Sequence, residues 1–368
     1  MKKIYIIFII FISTYLSAAA YYLSSSGSDT NSGLTPAAAW QSISRLNSYT
    51  ITPGDHIYFN SSNTFSGTIM VTAAEGSTQT TPVVFTSYGP GKAVIDSSGQ
   101  SGFYAEAAAG IIISNLVFRG SGQGISSNDG LVFYHTSTTG KKDNFLFLTG
   151  LQISGYYNGI SIGSSHASFP GYSNVFISNS TVYSCTKTGI LSYAHYDLSS
   201  NYAVNNMYIG FCDVFDICGD SNLTSTHSGS GIVMAGVSNG LIEYCTAYSN
   251  GRYNAWPNGG PIGIWAWHSR DIIIRYNISR HNSGGLTGKD GGGFDLDGGV
   301  SHSCMQYNYS YENEGAGYLI AQFKDARHFY SNTVCYNISQ NDGLKNAYGG
   351  IVLWAAASSS GIRDCFIY

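Results

Sequence analysis

A glycine followed by an apolar residue returns along this chain with little change. It occurs at Gly159 ("GISI"), Gly189 ("GILSY"), Gly231 ("GIVMA"), Gly263 ("GIWAW"), Gly293 ("GFDLD"), Gly317 ("GYLIA") and Gly350 ("GIVLW"). A second series runs beside it, an apolar residue, two others, then Asn or Cys. Its members end at Asn115, Asn179, Cys212, Cys245, Asn277, Asn308, Asn332 and Cys365, with a weaker copy at Gly150, at intervals of 24 to 35 residues. Late in the chain the step from the glycine to the next Asn or Cys is 14 or 15 residues, while the loop ahead of the glycine varies. That spacing describes a rigid rung with one elastic loop. Segments so short cannot bury a face alone, so the repeats must stack into a solenoid.

Composition agrees with one repetitive β-rich body. Only 10% of residues are charged, while Gly numbers 45 and Tyr 29, and long runs of helix formers are missing. The net charge of −4 gives no case for nucleic acid and leaves acidic polymers open. Seven cysteines, none in C-x-x-C spacing, make a cysteine-built metal site unexpected and leave at least one thiol unpaired within the chain. The rung asparagines, Asn179, Asn277 and Asn308 among them, are expected to point inward and bond their neighbours one coil away, about 4.8 Å off. Cys212 and Cys245 fall in the same row, close enough to bridge and equally suited to stand as free thiols.

The first twenty residues read as a secretory signal peptide. Lys2 and Lys3 precede the apolar run "IYIIFIIFISTYL", and the small residues "SAAA" close it, which places cleavage near Ala20. No later segment approaches the roughly 20 apolar residues of a membrane span. A secreted chain with no membrane span after signal removal is the expectation.

With the ladders in view, the chain resembles the secreted right-handed parallel β-helix proteins of the pectin-lyase-like fold. The start "YYLSSSGSDTNSGLTPAAAWQSISRLN" is similar to the N-terminal cap of many of them, as are "ITPGDHIYFNSSNTFSGTIMV" and "PVVFTSYGPGKAVID". The resemblance implies an all-β, right-handed parallel β-helix of about nine or more coils. Residues 21–109 would form the cap and first coils, and 110–368 the repeats. The chain stops at "IRDCFIY" in mid-rung with no amphipathic cap, so a truncated C-terminus is expected. The superfamily holds polysaccharide lyases, glycosidases and epimerases, and also non-catalytic adhesins and phage spikes.

The glycine ladder also places residues in space. The first and third positions after each glycine are apolar and face inward by the period of two, so the second and fourth face out. The outward pairs become Leu191/Tyr193, Val233/Ala235, Trp265/Trp267, Asp295/Asp297, Leu319/Ala321 and Val352/Trp354. Asp295 and Asp297 then share one face, with Cα atoms about 6.7 Å apart, beside Trp265 and Trp267 on the adjacent coil. Indoles stack on the apolar faces of sugar rings, and paired carboxylates cleave glycosidic bonds. The loops before these two coils would bring Arg252, Tyr253, Trp256, Lys289 and Asp290 over the same groove. His268 would follow on the tryptophan strand, and Lys324 two coils on.

The expected function is a secreted glycoside hydrolase on a polysaccharide or oligosaccharide, with Asp295 and Asp297 catalytic and no cofactor. The substrate-binding set would be Trp265, Trp267, His268, Arg252, Trp256, Lys289 and Lys324. Two alternatives stand beside it. In a polysaccharide lyase or epimerase acting on uronates, Asp290, Asp295 and Asp297 would hold Ca2+ while Lys289, Lys324 or Arg252 takes the C5 proton. In a non-catalytic surface protein, the tryptophans alone would bind glycan.

Overall fold

The computed structural model describes residues 18–136, 141–165, 170–195 and 201–368. All but the last three residues of the expected signal segment, 1–20, lie outside the described residues. Three parallel sheets of twelve, ten and ten strands make up the body, with one further two-stranded sheet. Each coil lays one strand on each large sheet: Ile262–Trp267 on the second, then Arg270–Arg275 on the first, then Ile278–Arg280 on the third, after which Gly292–Leu296 returns to the second. Strands adjacent in a sheet come from successive coils, and every pair is parallel. This is a parallel β-helix, as the repeats predict. No helix of the described residues is long and apolar enough to cross a membrane.

The glycine column sets the register. The residues after successive glycines pair in line: Ile160 with Ile190, then Ile232, Ile264, Phe294, Tyr318 and Ile351. A Cβ on Gly231 would lie 2.4 Å from the carbonyl oxygen of Gly263, and one on Gly189 would lie 2.7 Å from that of Gly231. Only hydrogen fits between the coils there. Inside, Ile232, Ile264, Phe294 and Leu296 are fully buried in one continuous core. At the last rung the corresponding Ile351 and Leu353 are exposed.

The asparagine rows form, with two corrections. Asn277 Nδ2 donates to Asn308 Oδ1 at 3.0 Å, and Asn308 donates in turn to Asn337, not to Asn332. Asn332 belongs to another row, where its side chain accepts from the Ser303 N–H. A parallel row runs Asn250, Asn282, Asn313, Asp342 with bonds of 2.8–2.9 Å. Asn179 does not point inward; it is exposed at a turn with φ 49°, and Ser180 is the buried residue beside it. Asparagine tolerates the left-handed conformation that this corner requires, so the same residue type serves turn and rung. The next occupants of that corner, Phe211, Tyr244, Tyr276, Tyr307 and Tyr336, share the conformation and stack with centroids 5.0–5.4 Å apart. Cys212 and Cys245 are buried and free; all seven cysteines are free, and Cys304 and Cys365 are only half-buried.

Candidate active site

The outer face of the second sheet carries the residues that the glycine ladder assigns to it. Val233 pairs with Trp265, Trp265 with Asp295, and Asp295 with Leu319, so indole and carboxylate are neighbours across one strand spacing. The face is not open to solvent, however. Val233, Ala235, Ile262, Trp265, Leu319 and Ala321 form a second apolar cluster, separate from the core and partly covered by Tyr348 and Trp267. Asp295 is 2% exposed and Trp265 5%, whereas Asp297 and Trp267 are half-buried. The outward positions thus line a covered groove. Loops entering the strands from the variable side roof it, a point that strand periodicity does not report.

Three carboxylates meet here. Burial raises Asp295 well above the usual carboxylate range, and the charges of Asp297 and Asp290 push it further. Burial lifts Asp297 to about 7; a hydrogen bond from the Gly298 N–H opposes the rise, and the charge of Asp290 adds to it. Asp290 is raised by burial but is drawn back by the Tyr348 hydroxyl, which donates to it at 2.8 Å, and by the Gly260 N–H. Acids arranged so that one keeps its proton while a neighbour ionises are equipped for proton transfer near neutral pH. Among the described residues, no group of three His, Cys, Asp or Glu side chains is placed to hold a metal ion.

The aromatic wall is larger than the two tryptophans. The indoles of Trp265 and Trp267 stack at 6.4 Å, and His268 packs against Trp267 at 5.0 Å and lies parallel to Phe323 at 6.0 Å. Trp256, from the preceding loop, approaches the site through His227, whose ring sits 6.0 Å from Trp256 and 5.4 Å from Trp265. Burial, with the charge of Lys187 adding to it, depresses His227 to about 4, so the imidazole is neutral at physiological pH.

Of the expected cations, Arg252 and Lys324 do not join the acids, and Lys289 stays at their exposed edge. Arg252 pairs with Asp216 and Gln123 at the preceding corner, its guanidinium over Tyr253. Lys324 extends into solvent 3.9 Å from Asp325. Lys289 is exposed beside Asp290, whose ionised form its charge favours. Two contributors escape the sequence reading, His227 and Tyr348. Both stand two to four residues before a ladder glycine, as Asp290 does, and that offset from the repeat is the signal that finds them.

Residues 129–334 match the model of the family described as right handed beta helix region. A lacto-N-biosidase of Bifidobacterium longum subsp. longum is 28% identical over 188 residues, 46% of this chain but only 11% of that protein. Among solved structures, the GH136 lacto-N-biosidase from Eubacterium ramulus superposes with a TM-score of 0.69 at 18% identity, over 95% of this chain and 68% of that one. A pectate lyase, Pel9A, matches with a TM-score of 0.46 at 15% identity over 93% of this chain and 77% of that one.

Proposed function

The chain belongs to the right-handed β-helix family, and we propose that it is an exported glycoside hydrolase acting on an oligosaccharide or polysaccharide in the groove of the second sheet. The observation that carries this reading is the set of three raised carboxylates beside an aromatic wall. The likeness to lacto-N-biosidases supports the same substrate class.

The roles follow from exposure and proton affinity. Asp297 reaches the groove and holds its proton up to about pH 7, which fits it to protonate a leaving glycosidic oxygen. Asp290 is the carboxylate partner, because the Tyr348 hydroxyl and the Gly260 N–H favour its ionised form. Asp295 lies beneath with its proton retained, so it can donate to a substrate oxygen without adding a charge. Trp267 and Trp256 offer the half-exposed faces on which a sugar ring stacks.

The test is incubation with a panel of oligosaccharides and polysaccharides, following reducing ends and the ultraviolet absorbance of unsaturated uronates, with and without a chelator. New reducing ends without ultraviolet product, insensitive to chelation, support the hydrolase. Calcium-dependent ultraviolet product would replace it by the lyase, and binding with neither signal would leave only a glycan-binding protein.

A further inference from the structure

Upstream of the acids, where the chain turns from the third sheet into the second, lies a cavity of about 310 Å³. Its lining includes Gln123, Tyr157, Thr186, Asp220, Asn222 and Tyr253. That volume lies at the small end of the range for small-molecule sites. We infer that this cavity is a distal saccharide subsite, continuous with the groove of the acids and binding a neutral sugar unit of the same substrate chain. The inference rests on the glycan reading above.

Three observations carry it. The first is the chemistry of the walls: hydroxyls and amides with a single carboxylate, Asp220, and two tyrosine rings. Neutral polyols are recognised by such donors and acceptors together with an aromatic face, and the only charged side chain in the lining itself is the carboxylate of Asp220, while Arg252 behind Tyr253 is already paired with Asp216.

The second is that the walls are held before any ligand arrives. Gln123 donates to the carbonyl oxygens of Cys185 and Asp216 and accepts from Arg252. The Gly124 N–H bonds Thr186 Oγ1 at 2.9 Å, and the Tyr253 N–H bonds the Cys218 carbonyl at 2.6 Å. Both rings are fixed in place by cations, Arg252 at 4.9 Å from the Tyr253 centroid and Lys187 Nζ at 5.7 Å from that of Tyr157. Arg252, which does not reach the acids, thereby has a place in this second site. A preformed site avoids the entropic cost of ordering loops on binding.

The third is continuity. The segment 218–227 lines the cavity with Cys218 to Asn222 and ends at His227, packed on Trp265 and Trp256. Tyr157 precedes the strand Asn158–Gly163, four strands from Gly292–Leu296 in the same sheet. Four strand spacings put the two regions about 19 Å apart along one face, within reach of a single chain of several sugars.

The experiment is affinity electrophoresis in gels containing each glycan polymer of the panel, with wild type, Asp297→Asn, Tyr157→Ala/Tyr253→Ala and Tyr157→Phe/Tyr253→Phe. Retardation is expected for wild type and Asp297→Asn alike. It should weaken about tenfold in the alanine pair and persist in the phenylalanine pair, which keeps the rings. On a hydrolysed polymer the alanine pair should raise KM with kcat retained, and hydrolysis of a small aryl glycoside should be unchanged. Equal retardation of wild type and a folded alanine pair would overturn the subsite, as would absence of retardation by every polymer. Neither result touches the hydrolase reading, which the reducing-end assay decides separately. If the alanine pair does not fold, retardation of wild type with an unchanged KM in single Tyr253→Ala would overturn the inference equally.

Discussion

Trp265 stands opposite Asp295 in the parallel ladder, and the indole N–H of one and Oδ1 of the other are both buried without a hydrogen-bond partner among the described residues. An unpaired buried donor and acceptor each cost about 1–3 kcal/mol. A sugar hydroxyl can accept from the indole N–H and donate to Oδ1, so substrate would relieve a cost that the free protein carries. Trp265→Phe keeps a ring and removes the donor. We expect KM on the hydrolysed glycan to rise about tenfold with the melting temperature unchanged or raised. An unchanged KM would show that this N–H never meets the substrate.

The carboxylates should separate by role. Asp297→Asn and Asp290→Asn are each expected to lower kcat by roughly 10²–10⁴ while circular dichroism and melting stay near wild type. Asp295→Asn retains a donor at the same place, and its loss should be nearer tenfold. Reducing-end assays under saturating substrate measure all three. Full activity in Asp297→Asn would end the proposed mechanism.

The pH dependence has a fixed sign. Asp297 holds its proton to about pH 7 in the folded chain and to about pH 3.9 when unfolded. Its contribution to stability is therefore complete below about pH 4 and is lost as pH rises through 7. Asp295, raised in the same direction, adds to the loss. The wild-type melting temperature should fall between pH 5 and pH 8, and Asp295→Asn/Asp297→Asn should flatten the decline by a few degrees. As general acid, Asp297 also predicts activity falling about tenfold per pH unit above 7, readable in a kcat profile.

Trp265 and Trp267 should differ most in stability. Trp265 is buried among Val233, Ile262 and Leu319, so Trp265→Ala leaves a cavity and is expected to cost about 3–5 kcal/mol. Trp267 is half-buried and meets His268 and Phe323 at the groove wall. Its alanine variant should weaken glycan binding with a much smaller drop in melting temperature. Differential scanning calorimetry and gel retardation compare the two directly.

What was legible follows from what the backbone alone decides. The glycine column is forced by coil-to-coil contact, so register, inward core and the adjacency of Trp265 to Asp295 could all be read from spacing. Asparagine carries two meanings, rung amide and left-handed corner, and spacing cannot separate Asn179 or Asn332 from Asn277. The loops are the elastic part of the repeat. Their offset from the glycine marks where His227 and Tyr348 stand, but nothing in their sequence says that Arg252 turns toward Asp216, that Lys324 faces solvent, or that Tyr348 packs over the outer face.

The glycine column makes the last prediction, because its cause is contact and not flexibility. Gly293 has ordinary negative φ, yet an added Cβ would lie 2.2 Å from Ser310 Oγ and 2.9 Å from the Gly317 carbonyl oxygen. Ser310 is fully buried and its Oγ accepts from Asn313 Nδ2 at 3.0 Å, so it cannot swing away without breaking that bond. Gly293→Ala is expected to cost about 1–3 kcal/mol and to displace the start of the strand bearing Asp295. Ser310→Ala removes the offending oxygen, so the double variant should recover part of the loss, with a coupling of about 0.5–3 kcal/mol by urea denaturation. Additive losses would place the strain at the Gly317 carbonyl, between the backbones of neighbouring coils.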